Sequence, residues 1–167
     1  MGSSSPATTA SIAPGAPAAP AAAAPEEDET KILDLEAIGP LRWNMTSAEM
    51  VKHLGAPQKR SKGSYEGATG AYASWWSWPG VEVGMVADKP AGPWKARSIQ
   101  VSAPIKLATK AGIRIGSPRK DVLAKYKPGS MDQGDPESLV VGSPYGGMYF
   151  SFKDDVVTEI GIGIFAF

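Results

Sequence analysis

The residues of this chain that could do chemistry are few. It has no cysteine and one histidine, which excludes disulfides, thiolate metal sites, cysteine nucleophiles and His-rich metal sites. His53 has no Ser or carboxylate partner that the sequence fixes beside it, and it falls on the outer face of a short predicted helix. We interpret His53 as an exposed helix residue, and a catalytic histidine is the alternative.

Two further patterns are typical of ligand sites but are incomplete. Asp154-Asp155 offers the oxygen ligands that Ca²⁺ prefers, yet the alternating acids and distal Glu of a calcium loop are missing. We predict a hairpin turn there, because Asp suits turns. The glycines of Gly112-x-x-x-Gly116 and Gly142-x-x-x-Gly146-Gly147 do not fit a phosphate loop, so we interpret them as turn and sheet-bend residues. No cofactor and no metal are predicted.

Charge and hydropathy limit the kinds of partner. The 17 basic and 17 acidic residues balance, so no strong field draws the chain to nucleic acid or to an anionic membrane. The densest basic run, Lys59-Arg60-Ser61-Lys62, is interpreted as a solvated loop rather than a phosphate-binding patch. No apolar run approaches the ~20 residues that span a bilayer.

Residues 1–30 are predicted to be a disordered Ala/Pro-rich linker with an acidic end. The prolines break any helix that the alanines start, and almost no large apolar side chain is present to drive folding. Such linkers are typical of lipoproteins of the bacterial envelope. We expect a periplasmic or outer-membrane-tethered protein whose native signal sequence has been removed, with membrane contact only through a possible lipid anchor. A cytoplasmic protein is the alternative.

The remaining chain is predicted to contain two copies of one unit, at 31–103 and 104–167. A shift of 72 positions places Leu41-Arg42-Trp43 on Ile113-Arg114-Ile115 and Glu49-Met50-Val51 on Asp121-Val122-Leu123. The matched residues are alike in charge as well as in hydropathy. We therefore predict a duplication.

Each copy begins with a short helix. Thr46 and Glu49 form a capping box for the first helix. Ser117 is predicted to cap the second, with Pro118 at its first position. The apolar faces predicted for the two helices are Met50, Val51 and Leu54, and Val122, Leu123 and Tyr126.

A three-stranded antiparallel meander is predicted to follow each helix, with hairpins at Pro79-Gly80, Gly146-Gly147 and Asp154-Asp155. The sequence thus predicts an α+β fold with one sheet of about six strands and both helices packed on one face. The predicted strands are Tyr72 to Trp78, Val81 to Val86, Ser98 to Ser102, Val140 to Tyr145, Met148 to Lys153 and Val156 to Ile164.

The turns decide which side chains face the core. Alternation along each strand predicts an apolar face made of Tyr72, Ser74, Trp76, Trp78, Val81, Val83, Met85, Ile99, Val101, Tyr145, Met148, Phe150, Phe152, Ile160, Ile162 and Ile164. The opposite, polar face carries the predicted protein-binding residues, which are Trp75, Glu82, Gln100, Tyr149, Ser151 and Glu159. Exposed Trp and Tyr dominate binding hot spots. The alternative for Trp75 is packing beneath a loop.

The segments Trp43 to Pro57 and Thr109 to Val122 carry a resemblance. The capped helix ending near Leu54-Gly55-Ala56-Pro57, followed by a hairpin, resembles the tandem modules of the β-lactamase inhibitory protein. It is also similar to the outer-membrane assembly lipoproteins of the BamE/SmpA type. Asn44 stands where that pattern usually has Gly. The resemblance implies an envelope or secreted protein that binds other proteins through a concave sheet.

These observations favour a non-enzymatic protein-binding module of the bacterial envelope, such as an inhibitor, immunity protein or assembly factor. Its partner is expected to be another protein. The alternative is a hydrolase of envelope polymers that uses Glu82 and Glu159, which requires those carboxylates to lie ~5–10 Å apart. A purely structural domain on a tether is a third possibility.

Overall fold

A computed structural model of the protein describes residues 31–129, 132–143 and 145–165, and the predicted linker at 1–30 lies outside this range. Within the described residues the chain forms one antiparallel sheet of eight strands with three short helices, which confirms the α+β class and the single sheet. The helices are α1 (Ile32–Leu35), α2 (Ser47–Leu54) and α3 (Arg119–Lys125). The strands are β1 (Lys59–Arg60), β2 (Ser64–Glu66), β3 (Ala71–Trp78), β4 (Val81–Ala87), β5 (Lys95–Ser102), β6 (Ser138–Ser143), β7 (Gly146–Lys153) and β8 (Val156–Gly163).

The strand order places two meanders side by side. It runs β1-β3-β4-β5-β8-β7-β6, with β2 also paired to β3. Strands β3 to β5 form one meander and β6 to β8 form the other. Their last strands, β5 and β8, join the halves through an antiparallel ladder in which Gln100 faces Gly161.

The elements that the sequence analysis missed are the shortest. Strand β1 has two residues, β2 has three and α1 has four, too few to show a hydrophobic period. Within the basic run, Lys59 and Arg60 belong to β1 rather than to a loop, although all four residues of the run are exposed.

Two of the three hairpin turns are confirmed. Trp78 pairs with Val81 across Pro79-Gly80, and Asp154-Asp155 turns between β7 and β8 with positive φ at both residues. The turn predicted at Gly146-Gly147 is wrong, because both glycines lie in β7 and Gly146 pairs with Ser143. The turn falls two residues earlier.

The displaced turn also corrects one core residue. Tyr145, predicted to face the core, lies in the turn and is 47% exposed. The strand glycines have a packing reason, since a Cβ on Gly147 would lie 2.3 Å from the Val141 carbonyl oxygen. The displacement by two residues preserves alternation, so Met148 and Phe150 still face the core.

The capping box predicted for α2 is confirmed, and the capping residue predicted for α3 is wrong. The Thr46 hydroxyl accepts from the Glu49 N–H (3.2 Å), and the Glu49 carboxylate accepts from the Thr46 N–H (2.9 Å). Pro118, not Ser117, occupies the N-cap position of α3, where it provides no side-chain cap. The Ser117 hydroxyl instead accepts from the Arg114 N–H (3.0 Å) in the preceding turn.

The core lies between the helices and the predicted apolar face of the sheet. Trp76, Trp78 and the inward residues of β4, β5, β7 and β8 are buried in one cluster with Leu33, Met50 and Val122. The helix faces were predicted too broadly, since Val51 and Leu123 are 38% and 43% exposed. Because α2 and α3 each have only about two turns, only part of each predicted stripe meets the sheet. None of the helices described is long and apolar enough to cross a membrane.

Candidate binding face

The predicted site residues share one face of the sheet, on the side away from the helices. In the ladder, Ser77 pairs with Glu82, Glu82 with Gln100, Gln100 with Gly161, and Gly161 with Tyr149. The next row along the strands pairs Ser102 with Glu159 and Glu159 with Ser151. The structure therefore brings five of the six into two adjacent rows. We call this surface the polar face, made of Trp75, Ser77, Glu82, Gln100, Ser102, Tyr149, Ser151 and Glu159.

Trp75, the sixth residue, lies one row away from Glu82 on β3 and β4. Its side chain is 47% exposed, and its ring passes over Gly84, where an added Cβ would lie 3.4 Å from the ring. The backbone N–H of Trp75 donates to the Ser61 hydroxyl (2.8 Å), which attaches the edge segment to β3. Trp75 is thus supported from below by Gly84 while about half of its surface faces solvent.

A groove next to Trp75 extends to the sheet edge. It has a volume of about 500 Å³ and is lined by Lys59, Arg60, Ser61, Trp75, Trp76, Ser77 and Glu82. We call it the tryptophan groove. The Arg60 guanidinium lies 3.9 Å from the centroid of the Trp76 ring, a cation–π distance. Arg60 pairs with Trp76 in the register, so this contact lies at the sheet edge on the helix side. Lys59, which pairs with Ser77, brings a basic side chain to the end of the polar face.

Tyr149 is held more firmly than the sequence analysis expected. Its hydroxyl donates a hydrogen bond to the Glu159 carboxylate. Its ring makes an edge contact with Phe165, with ring centroids 4.9 Å apart. Burial raises the pKa of Tyr149 above its ordinary value, and the hydrogen bond to Glu159 and the charges of Glu159 and Glu82 raise it further. Tyr149 thus supports the polar face and presents little free surface of its own.

A second depression lies in the polar face across β4, β5 and β8, next to the turn at Pro79-Gly80. It has a volume of about 230 Å³ and is lined by Ser77, Trp78, Gly80, Val81, Glu82, Gln100, Val101, Ser102 and Glu159. We call it the central depression. Glu82 is exposed, and Gln100 and Glu159 are half-buried. It shares Ser77 and Glu82 with the tryptophan groove, so the two form one continuous surface.

The spacing of Glu82 and Glu159 bears on the hydrolase alternative. They lie two strands and one row apart, which places their Cα atoms ~12 Å from each other. Both line the central depression, so their carboxylates can approach one another from opposite sides. One of the Glu159 carboxylate oxygens already accepts the Tyr149 hydroxyl.

The remaining candidates for chemistry lie apart from this face. His53 is exposed on α2, which packs on the opposite side of the sheet. Asp154 and Asp155 are exposed in the β7–β8 turn. Within the described ranges, no group of three or more His, Cys, Asp and Glu side chains is placed to hold a metal ion.

The sequence analysis missed the residues that support this face from within the sheet. Gly161 lies beneath the Tyr149 ring, and a Cβ on Gly161 would come within 2.1 Å of that ring. The sequence does show that a glycine, Gly161, lies in the same strand as Glu159. It did not predict that Gly161 makes room for the Tyr149 ring, because the residue-by-residue pairing of β7 with β8 was not predicted.

Comparisons with family models, with curated proteins and with solved structures each found no match for this chain.

Proposed function

We propose that this chain is a non-enzymatic protein-binding module and that the polar face is its binding surface. The observation that carries the proposal is the half-exposed Trp75, which shares a groove with Glu82, and Glu82 in turn pairs with Gln100 on the same sheet face. Interfaces concentrate their energy in a few aromatic anchors surrounded by polar groups. A Trp held from below by Gly84 loses little conformational freedom on binding.

The shape of the face supports binding over catalysis. The two carboxylates line an open depression on a sheet, whereas a hydrolase needs its acid and base in a cleft that encloses substrate. One carboxylate oxygen of Glu159 also accepts a hydrogen bond from the Tyr149 hydroxyl, so this carboxylate is less available for proton transfer. The shared depression is the one observation that favours the hydrolase of envelope polymers, which stays the second candidate.

We also propose that the fold arose by duplication of one helix-plus-meander unit. The turn before each helix supports this. The Asn44 N–H donates to the Ala96 carbonyl (2.8 Å), and 72 residues later the Gly116 N–H donates to the Val157 carbonyl (2.8 Å). Asn44 and Gly116 both have positive φ, at 67° and 93°. Asn is among the few residues besides Gly that tolerate this conformation.

Two further correspondences support the duplication. The residues that precede the helices, Thr46 and Pro118, each form a bridge with the first residue of the third strand of their meander. Each meander also has a register irregularity between its second and third strands, beginning at Gly84 in one and at Ser151 in the other. Such bulges are specific features rather than chance defects.

The resemblance to the β-lactamase inhibitory protein and to BamE/SmpA-type lipoproteins extends the proposal to location. We propose that the module acts in the bacterial periplasm or is tethered to the outer membrane, as an inhibitor, an immunity protein or an assembly factor. The repeated helix-plus-sheet unit and the sheet face that none of the described helices covers are what support this. The Ala/Pro-rich composition of residues 1–30 is consistent with a tether.

Capture of a partner from the periplasmic fraction of the native host tests the proposal. Immobilised wild-type chain, Trp75→Ala and Leu123→Ala would be compared by quantitative mass spectrometry. Leu123 is similarly exposed (43%) but lies on α3, on the helix side of the sheet. We expect Trp75→Ala to lose the captured protein and Leu123→Ala to retain it. Equal capture by all three, with the fold intact by circular dichroism, would rule out this surface.

A further inference from the structure

We propose that the central depression binds a cationic side chain, arginine in preference to lysine, that a partner protein presents to the polar face. This inference rests on the proposed function and names the chemistry of the partner. The central depression carries the carboxylates of Glu82 and Glu159, and none of the described residues that line it is Lys, Arg or His. The charge of the depression is therefore complementary to a cation.

Both carboxylates have capacity left for a partner. Glu82 makes no side-chain hydrogen bond or ion pair with another residue of the described part of the chain. Glu159 uses Oε1 for the Tyr149 hydroxyl, and its Oε2 has no hydrogen-bond partner among the described residues. Carboxylates accept several hydrogen bonds each, so both can receive N–H groups from outside.

Tyr149 lies in the negative field of the same two carboxylates. Its hydroxyl lies near both carboxylates, and their negative charges contribute to the elevation of its pKa, after burial and the hydrogen bond to Glu159. The same negative charge that holds the proton on Tyr149 stabilises a cation placed on the other side of the carboxylates.

The depression is also arranged in advance of binding. The Tyr149–Glu159 hydrogen bond fixes one carboxylate, and Gly161 provides the room in which the Tyr149 ring lies. A carboxylate that is already oriented loses less freedom when it binds, which increases affinity.

Arginine fits this arrangement better than lysine does. A guanidinium has five N–H donors in a rigid plane and can bridge two carboxylates, whereas an ammonium is a compact point charge. Gln100, Ser77 and Ser102 provide further oxygen acceptors in the same depression. A residue next to that arginine can reach Trp75, since the tryptophan groove adjoins.

Titration of the ¹⁵N-labelled chain with capped tripeptides tests this inference. The probes are Ac-Gly-Arg-Gly-NH₂, the lysine analogue and the citrulline analogue, which has nearly the shape of arginine without its charge. We expect saturating amide shifts centred on Glu82, Gln100 and Glu159 with arginine, weaker binding with lysine and none with citrulline. Added salt should weaken the binding of the arginine peptide, because salt screens the attraction between its charge and the carboxylates.

Variants make the test specific. Glu82→Gln should raise the Kd of the arginine peptide about two- to fivefold, and Tyr149→Phe should also raise it. Asp121→Asn, which neutralises an exposed carboxylate on the helix side, should leave it unchanged. Equal binding of the citrulline peptide, shifts centred elsewhere, or no shifts at all would overturn the inference.

Failure here is distinguishable from failure of the proposed function. If Trp75→Ala loses the captured protein while Glu82→Gln/Glu159→Gln retains it and no peptide binds, the polar face binds protein without a cation in the depression. If the arginine peptide binds but Trp75→Ala captures normally, the depression recognises a cation while the proposed interface is wrong.

Discussion

The Tyr149 hydroxyl on β7 donates to the Glu159 carboxylate on β8 along a diagonal of the sheet. The register pairs Tyr149 with Gly161 and Glu159 with Ser151, so the bond joins adjacent rows. Aromatic side chains are long enough to reach such diagonal neighbours. One hydrogen bond thus positions the ring over Gly161 and holds Glu159 beside the central depression.

Tyr149→Phe should lower the free energy of unfolding by about 1 kcal/mol, because it removes the donor from a half-buried carboxylate. Urea denaturation measures this directly. Tyr65→Phe is the control, since Tyr65 is 62% exposed on the edge strand β2 and its hydroxyl has no hydrogen bond within the described residues. Equal stability of the two variants would contradict a structural role for the Tyr149–Glu159 bond.

Stability should fall in alkali more steeply for the wild type than for Tyr126→Phe/Tyr149→Phe. Burial is the first cause that raises the pKa of both tyrosines above their ordinary value of 10.0. Above about pH 10 the unfolded chain loses these protons while the folded chain keeps them, so unfolding becomes favoured as the pH rises. Below pH 10 the contribution is fully present.

Urea denaturation at pH 9, 10 and 11 tests this prediction. The difference in free energy of unfolding between wild type and the double variant should narrow as the pH increases. A difference that stays constant over this range would show that neither tyrosine has a raised pKa in the folded state.

The sequence predicted the parts of the fold that depend on neighbouring residues. Alternation placed Trp76 and Trp78 inside and Trp75 outside, and the Thr46–Glu49 spacing identified the helix start. It could not predict which strands pair across the middle of the sheet, because β5 and β8 are more than 50 residues apart. The Tyr149–Glu159 hydrogen bond depends on the register of β7 and β8, so the sequence could not predict that Tyr149 positions Glu159.

Gly146-Gly147 shows why one local signal was misleading. Two glycines between β-rich runs are typical of a hairpin turn, but here they lie within β7, where a side chain on Gly147 would meet the backbone of β6. The sequence does not distinguish a glycine that forms a turn from a glycine within a strand that lets the backbone of a neighbouring strand come close.

Thr46→Ala should lower the free energy of unfolding by about 1 kcal/mol through loss of the α2 cap.

The same cap makes the stability of the protein depend on pH in acid. The hydrogen bond from the Thr46 N–H is the first cause that lowers the pKa of Glu49 from 4.5. This contribution is present above pH 4.5 and is lost as the pH falls through the lower, folded-state pKa. Glu49→Gln should therefore show a shallower loss of stability between pH 5 and 3 than the wild type.

Asp132→Ala should expose the free edge of the sheet at β6. The Asp132 carboxylate accepts from the Val140 N–H (2.8 Å), and the Gly129 N–H donates to the Val140 carbonyl (2.7 Å). These bonds occupy edge groups that would otherwise template pairing with another chain. We expect concentration-dependent self-association by light scattering, and Asp132→Asn, which keeps an acceptor oxygen, should resemble the wild type. A monodisperse Asp132→Ala chain would contradict this role.

Gly161→Ala should displace the Tyr149 ring, because the added methyl would lie 2.1 Å from one ring carbon and 2.6 Å from the next. Overpacking of this kind costs about 1–3 kcal/mol of stability. It should also break the hydrogen bond to Glu159 and expose the ring, so the Tyr149 pKa should return toward its ordinary value. Spectrophotometric titration at alkaline pH follows that change. Gly67→Ala is the matched control, since nothing lies within 4 Å of its added methyl. If Gly161→Ala leaves both stability and titration like those of Gly67→Ala, the ring is not held over Gly161, and the central depression is not arranged before its partner binds.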